Sequence, residues 1–373
     1  MTDEICSGSD FSTFEHQDKI LVGLSGGVDS SVCIRILREQ GFAVEAAVLR
    51  FSPAHDKAVA AAQLVAEQFG IPLHVEDCSA LFDTAVVAPF CAAYCAGTTP
   101  SPCVACNPQV KFKTLCDVAD RLGIRYIATG HYARITEENG IYYVQKAVSE
   151  ARDQSYMLYA LPQEILSRLC LPVGEFEKPD IRAMAAESNL ASADAPDSQE
   201  ICFIPDGDYA AYIASRGCTA KQGRFLGPNG EDLGAHKGVL HYTVGQRKGL
   251  NIAYGKPIFI KRILENGDIQ LALAGNEFAD AILLTNLIRT DGTPFQNGDA
   301  FTVKVRSRAS CVPCRIENAT ATTLTVRFDA PQRAPAPGQA AVFYQDDRVL
   351  GGGTILDMID SESADSDSSF PMH

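Results

Sequence analysis

The chain has 373 residues, of which 46% are hydrophobic and 21% charged, and its formal net charge is −14. This length predicts two or three domains, and the hydrophobic content excludes a disordered chain. No apolar run approaches the roughly 20 residues of a membrane-spanning helix. The acidic, polar first residues lack the basic start and apolar centre of a secretory signal. We therefore expect a cytoplasmic globular protein with no membrane partner.

The negative charge is concentrated at the two ends of the chain. Residues 1–18 and residues 357–373 each hold five acidic residues and no Lys or Arg, which leaves a net charge of −4 for residues 19–356. Two segments, 237–262 and 302–316, hold six and four basic residues and no acidic residue. A basic face for nucleic acid is therefore compatible with this composition, although solvated surface explains the same charges equally well.

Strands and helices alternate along the first half of the chain. The short apolar run 19–24 predicts a buried strand, and the i, i+4 apolar spacing after it predicts a helix that stops at Gly41. The same alternation continues to about residue 131, with strands predicted at 43–51, 71–78 and 124–131 and helices at 56–70 and 111–123. This order predicts a parallel α/β sheet with helices on both faces.

The pattern changes after residue 206, where glycines become frequent and helical periodicity fades. From about residue 280, short alternating segments separated by turns predict a small antiparallel barrel or sandwich. We predict an acidic tail (1–18), a catalytic α/β domain (19–206), a central module (207–279), a C-terminal β-barrel (280–356) and an acidic disordered tail (357–373).

The stretch SGGVDSS, beginning at Ser25, lies between the first predicted strand and the first helix. Its glycines allow a tight turn and close approach of the backbone to a ligand, and the helix N-terminus behind them favours phosphate oxygens. The loop contains no lysine, and its acidic residue, Asp29, indicates a divalent metal between it and the phosphates. We therefore predict that a nucleotide binds here with a divalent metal. The loop resembles that of the pyrophosphate-loop ATPases, which split ATP between the α and β phosphates, and this resemblance implies that the ligands are ATP and Mg²⁺.

Six further motifs follow in order, and together they resemble the tRNA-specific 2-thiouridylase (MnmA) family. They are TPSPCVACNPQVKFKTL (99–115), ATGHYAR (128–134), RDQSYMLYAL (152–161), DSQEICFIP (197–205), HYTVGQRKGL (241–250) and APGQAAVFY (336–344). The resemblance covers roughly residues 19–356. It implies a pyrophosphate-loop domain, a small central domain and a C-terminal antiparallel β-barrel. It also implies ATP-dependent transfer of sulfur to the wobble uridine, at position 34, of tRNA.

The resemblance implies functional roles for individual residues of this chain. It implies a persulfide on Cys202, with Cys106 as its partner, and ATP contacts from Gly23, Leu24, Ser25, Gly26, Gly27, Val28, Asp29, Ser30, Leu49 and Gly130. It implies that Ser101, Pro102 and Cys103 flank the target base, and that His131, Arg152, Asp153, Gln154, Arg306, Ser307 and Gln339 contact tRNA. The sulfur would come from a cysteine desulfurase or a sulfur-carrier protein.

The cysteines leave two chemical routes open. Two thiols suit a persulfide, because one carries the terminal sulfur and the other releases it by forming a disulfide. The chain has Cys103 where the family usually has Asp, however, so Cys103, Cys106 and Cys202 also form a candidate ligand set for a [4Fe–4S] cluster with one open iron. The second CxxC, Cys311 to Cys314, has no evident third partner and is interpreted as structural or incidental.

Two other functions remain compatible with parts of the sequence. An amide-forming pyrophosphate-loop ligase, such as an NAD or GMP synthetase, would share the phosphate loop but would not need the paired cysteines or the basic C-terminal segments. A non-enzymatic tRNA-binding or metal-binding protein would not need the intact phosphate loop.

Overall fold

The computed structural model describes residues 18–193, 201–204 and 206–360. The predicted N-terminal tail, apart from Asp18, and the predicted C-terminal tail beyond residue 360 lie outside these residues. The chain divides into two compact units, and each is discontinuous in sequence. The first contains residues 1–87, 103–206 and 346–350, and the second contains residues 88–102, 207–345 and 351–373. None of the described helices is both long and apolar enough to cross a membrane.

A five-stranded parallel sheet forms the centre of the first unit. Its order is β3-β2-β1-β4-β7, and all four pairings are parallel. The strands are β1 (Lys19–Gly23), β2 (Ala43–Arg50), β3 (Leu73–Asp77), β4 (Tyr126–Thr129) and β7 (Leu169–Cys170). The parallel sheet predicted from the alternating pattern is therefore confirmed.

The helices of this unit cover the sheet and connect its strands. They are α1 (Val28–Glu39), α2 (Asp56–Phe69), α3 (Ser79–Phe82), α5 (Pro102–Cys106), α6 (Phe112–Arg121), α7 (Gln163–Leu166) and α8 (Lys178–Glu187). The core joins buried residues of β1, such as Ile20 and Val22, to buried residues of α1, such as Val32 and Ile36. Burial of these apolar side chains on the inner face of α1 is what fixes that helix against the sheet.

A β-hairpin lies beside this sheet and was not predicted from the sequence. Its strands are β5 (Ala133–Glu138) and β6 (Ile141–Lys146), which pair antiparallel. The turn between them is Asn139–Gly140, and both residues have positive φ, 54° and 80°. Asn-Gly is the dipeptide that favours such two-residue turns, so the signal for the hairpin was present in the sequence.

The second unit contains a four-stranded sheet and a closed six-stranded barrel. The sheet has the order β10-β11-β8-β9, and the barrel has the order β12-β15-β14-β13-β16-β17 with β17 returning to β12. The strands are β8 (Arg224–Leu226), β9 (Asp232–Ala235), β10 (Ile258–Ile263), β11 (Ile269–Leu273), β12 (Phe278–Arg289), β13 (Ala300–Lys304), β14 (Val312–Glu317), β15 (Thr323–Arg333), β16 (Ala340–Gln345) and β17 (Arg348–Ile359). Helices α4 (Ala88–Cys95) and α9 (Tyr209–Ser215) complete the unit. The predicted antiparallel barrel is confirmed, and its closure leaves no free sheet edge.

Candidate functional site: a nucleotide pocket and a cysteine cluster

A cavity of about 370 Å³ lies in the first unit, where β1 and β4 end. The two strands are neighbours in the sheet, with Gly23 opposite Thr129, so the loops that follow them meet at one edge. Ligands of open parallel sheets bind at this edge. Nine of the ten residues predicted to contact ATP line the cavity: Gly23, Leu24, Ser25, Gly27, Val28, Asp29, Ser30, Leu49 and Gly130.

The tenth residue, Gly26, supports the loop from behind. It has φ +75°, and a Cβ placed on it would lie 2.6 Å from Cβ of Ala61. The loop is closed by internal hydrogen bonds, since the Ser25 amide donates to Oγ of Ser30 at 3.2 Å and Oγ of Ser31 donates to the Gly27 carbonyl at 2.9 Å. These contacts fix the loop before any ligand binds, which lowers the entropic cost of binding.

A lysine from a distant part of the chain enters the pocket. Nζ of Lys178 donates to both carboxylate oxygens of Asp29, at 2.7 and 2.9 Å, and Oη of Tyr132 donates to one of them at 2.7 Å. The Lys178 side chain is 9% exposed. Asp29 is therefore paired with an ammonium in this structure. Lys178 lies 149 residues after Asp29, and the local loop sequence gave no signal for it.

His131 and Lys111 form a second polar group in the cavity wall. Nζ of Lys111 lies 3.3 Å from Nε2 of His131, and Nδ1 of His131 lies 2.7 Å from Oγ1 of Thr129. Burial, and then the charge of Lys111, lower the pKa of His131 well below its usual value. His131 is therefore neutral near pH 7 and acts as a hydrogen-bond acceptor for Lys111.

The three cysteines singled out from the sequence interact electrostatically in the first unit. Burial raises the pKa of the Cys106 thiol to about 11, an effect that the charge of Lys111 opposes. Cys202 keeps an exposed face, but protein atoms enclose most of its thiol, and this desolvation raises its pKa to about 12, with the thiols of Cys106 and Cys103 adding to the rise. The fold thus brings Cys202 within interaction range of Cys106 and Cys103. All three are free cysteines here.

Several residues assigned to tRNA lie in the wall of the same cavity. His131, Arg152 and Gln154 line it, and Oε1 of Gln154 accepts a hydrogen bond from the Tyr132 amide at 2.9 Å. Asp153 accepts from the amide of Ala147 at 3.2 Å and from Oγ of Ser155 at 2.8 Å, so its carboxylate also shapes the backbone.

The remaining tRNA assignments lie in the second unit, apart from Cys103. Nη2 of Arg306 donates to the carbonyls of Val244 and Ala334, at 3.0 and 2.8 Å. Nε2 of Gln339 donates to the Thr99 carbonyl at 2.8 Å, two residues before Ser101 and three before Pro102. Ser307 is half-buried after β13. These contacts hold loops in place, and the tRNA assignments of these residues stay predictions.

Three family profiles match the chain in succession. A tRNA methyl transferase HUP domain matches residues 18–206, a tRNA methyl transferase PRC-barrel domain matches residues 212–269, and an aminomethyltransferase beta-barrel domain matches residues 280–355.

Curated relatives match almost the whole chain. The tRNA-specific 2-thiouridylase MnmA of Lachnoclostridium phytofermentans is 40% identical over 91% of this chain and 99% of its own length. The protein of the same name from Carboxydothermus hydrogenoformans is 40% identical over 90% and 97%. Among solved structures, a 4-thiouridine synthetase–RNA complex with bound ATP has 16% identity, covers 51% of this chain and 46% of that chain, and has a TM-score of 0.35.

Proposed function

The chain belongs to the tRNA-specific 2-thiouridylase (MnmA) family and is a tRNA-uridine 2-sulfurtransferase, and we propose that it works by adenylation of the wobble uridine followed by persulfide transfer. The observation that supports this sequence of steps best is one segment of chain. Lys111 lines the nucleotide cavity and lies five positions after Cys106, and its positive charge opposes the rise in the pKa of the Cys106 thiol. The ATP site and the thiol that we propose to react thus lie five positions apart on one segment of chain.

The first step turns a poor leaving group into a good one. The C2 oxygen of uridine attacks the α-phosphorus of ATP, the N3 proton is lost, and pyrophosphate leaves. The phosphate loop and the first turn of α1 would bind the phosphates through backbone N–H groups. Mg²⁺ would enter as the counterion of the ATP phosphates. Asp29, the carboxylate that would reach it, is paired with Lys178, so we assign no step to the metal.

The second step delivers sulfur and regenerates the base. The terminal sulfur of a Cys202 persulfide attacks C2, and AMP leaves with the original oxygen. The Cys106 thiolate then attacks Sγ of Cys202, which forms a Cys106–Cys202 disulfide and releases 2-thiouridine. A dithiol reductant and a fresh sulfur donor, either a cysteine desulfurase or a sulfur-carrier protein, would reset the enzyme. Since the substrate is tRNA, the cytoplasm is the compartment that this proposal implies.

The cluster route fits this conformation less well. Within residues 18–193, 201–204 and 206–360, no group of three or more His, Cys, Asp or Glu side chains is arranged to hold a metal ion. Cys103, Cys106 and Cys202 therefore do not form a ready cluster site here, and we derive no step through [4Fe–4S].

The proposal is tested with an unmodified tRNA transcript, ATP, a cysteine desulfurase with cysteine, and a reductant. We expect 2-thiouridine at the wobble position by mass spectrometry, with one AMP per sulfur inserted. Cys106→Ser and Cys202→Ser should abolish it, whereas Cys311→Ser, a partly buried cysteine of the barrel, should keep it. Formation of AMP without tRNA, in the presence of ammonia and a carboxylate, would instead indicate the amide-forming ligase.

A further inference from the structure

Lys111 is positioned by the same short segment that positions Cys106. Helix α5 ends at Cys106 and runs directly into a π-helical turn, Asn107–Lys111. The turn is anchored from inside, because Nδ2 of buried Asn107 donates to the Met157 carbonyl at 2.8 Å and Val110 is fully buried. Lys111 is the last residue of this turn, and it lines the nucleotide cavity.

The side chain of Lys111 is oriented by a neutral partner. An ammonium has donors and no acceptor, so Nε2 of His131 accepts and Nδ1 carries the proton that it shares with Thr129. Since the imidazole is uncharged, this contact fixes Lys111 without cancelling its charge. Two of the three N–H groups of the ammonium are left for other acceptors.

The second lysine of the cavity, Lys178, already has a carboxylate as its partner. Both oxygens of Asp29 accept hydrogen bonds from Lys178, so that charge is already balanced. In the described parts of the chain (18–193, 201–204 and 206–360), Lys111 has no carboxylate within ion-pair distance. Lys111 is therefore a cation of the cavity that a bound phosphate would neutralise, and bringing an anion to it requires no existing ion pair to break.

We propose that Lys111 is a catalytic residue of the adenylation step, in which its ammonium donates hydrogen bonds to the α-phosphoryl group as that group passes from ATP to the uridine oxygen. In this step the bond from the C2 oxygen to phosphorus forms, the bond from phosphorus to the pyrophosphate oxygen breaks, and the electron pair leaves with pyrophosphate. Negative charge on the phosphoryl oxygens is what an oriented cation stabilises. The assignment rests on the proposed function.

The location of Lys111 favours the α-phosphoryl group over the pyrophosphate. In the adenylated base, phosphorus is two bonds from C2, the atom that sulfur attacks. A group that contacts this phosphorus must therefore lie close to the sulfur nucleophile. Lys111 meets this condition, because its charge acts on the thiols of both Cys106 and Cys202. The loop at the N-terminus of α1 would then bind the pyrophosphate.

The test isolates adenylation from sulfur transfer by working in the full-length Cys202→Ser protein. With tRNA transcript and γ-labelled ATP, the single-turnover release of pyrophosphate is measured against ATP concentration. We expect Lys111→Met to lower the maximal rate about 100-fold, in the range found for loss of one oriented donor. The ATP concentration at half-maximal rate should stay within about threefold of that of the Cys202→Ser parent. The maximal rate of Lys111→Arg should be at least tenfold higher than that of Lys111→Met.

Lys113→Met is the matched control. Lys113 is two residues away, is 57% exposed and pairs with Asp117 on the surface, so its loss should not change the rate. Calorimetric titration with ATP shows whether each variant folds and binds nucleotide, and Lys111→Gln replaces Lys111→Met if the latter fails that check. The inference is overturned if the folded variant adenylates at the parental rate, if only its ATP requirement rises, or if arginine gives no recovery. If the Cys202→Ser parent itself releases no tRNA-dependent pyrophosphate, the proposed function fails, and the inference fails with it.

Discussion

Asp29 accepts three hydrogen bonds from two side chains, Lys178 and Tyr132, inside the nucleotide cavity. Because the Lys178 ammonium balances its charge, the Asp29 carboxylate can lie beside the phosphate loop without repelling the anion that the loop binds. It also makes each partner dependent on the other, since a charge left unpaired in a partly buried site costs far more than a surface pair is worth.

Lys178→Met should therefore destabilise the protein by about 3 kcal/mol, because the Asp29 carboxylate loses its ammonium. The double variant Lys178→Met/Asp29→Asn should recover a large part of that loss. Chemical denaturation of the single and double variants measures both values. Lys113→Met, which breaks an exposed i, i+4 pair with Asp117, serves as the control and should cost less than about 0.5 kcal/mol. Equal losses for the two lysines would contradict the prediction.

His131 should give the protein a defined acid sensitivity. Burial and Lys111 lower the pKa of His131 in the folded state, so below about pH 6.5 the unfolded chain binds a proton that the folded protein does not. Neutral His131 therefore contributes its full stabilisation above about pH 6.5. Below that pH, the free energy of unfolding falls by up to about 1.4 kcal/mol per pH unit because of His131. We expect His131→Asn to remove this part of the slope between pH 6.5 and 5, measured by denaturation at each pH. A wild-type slope that is unchanged in the variant would show that His131 is not its source.

At the scale of elements, local signals predicted most of the first unit. The apolar run of β1 and the apolar face of α1 appear where they were expected. Helix α2 ends at Gly70, which has a φ of +60°, a backbone conformation that glycine adopts easily because it has no side chain. These features depend on neighbouring residues alone. The π-helical turn after Cys106 was not predicted, because it depends on a hydrogen bond from Asn107 to Met157, 50 residues further along the chain.

Gly130 shows how two loops are fitted together. A Cβ placed on it would lie 2.7 Å from the Ser30 amide nitrogen and 2.8 Å from the Asp29 carbonyl carbon. The loop after β4 therefore packs directly on the first turn of α1. Only glycine allows this approach without a shift of the backbone that binds phosphate.

Gly130→Ala should lower ATP affinity at least tenfold, because the first turn of α1 must move. Gly123→Ala is its control. Gly123 has φ +68° and no atom within 4 Å of an added Cβ, so that substitution strains the backbone without a clash. It should cost about 1 kcal/mol of stability and leave ATP affinity unchanged. Titration calorimetry with ATP separates the two effects, and a similar ATP affinity in both variants would count against the packing argument.

At the scale of the whole molecule, the order of the domains and the phosphate loop of the cavity followed from the sequence, but the two lysines of the cavity did not. Lys111 and Lys178 enter the site from segments about 80 and 150 residues after the phosphate loop. Lysines at such positions look like ordinary surface charges until the strand order is known. The resemblance to a family assigned roles to the cysteines but to neither lysine, although Lys111 lies within the motif 99–115.

The basic segment 237–262 predicts a measurable salt dependence of tRNA binding. Its cations Lys237, Arg247, Lys248 and Lys256 are exposed. If tRNA contacts them, the triple substitution Lys237→Gln/Arg247→Gln/Lys248→Gln should weaken binding at 0.1 M salt and reduce the slope of log K against log salt by about 2 to 3. Filter binding over a salt series measures the slope. ATP affinity should not change, and an unaltered slope would place the tRNA on another surface.

Strand β17 has a consequence for the way this protein is made. Its first residues belong to the first unit, where Arg348 lies opposite Gln145 of β6 and its guanidinium lies 4.7 Å from the ring centre of Tyr143. After β6 ends at Lys146, a ribosome must add the 201 residues from 147 to 347 before this partner exists. At roughly 5 to 20 residues per second, the edge of β6 stays open for about 10 to 40 s. An unpaired strand edge is a template for aggregation, so a chaperone that covers this edge during synthesis would protect the nascent chain.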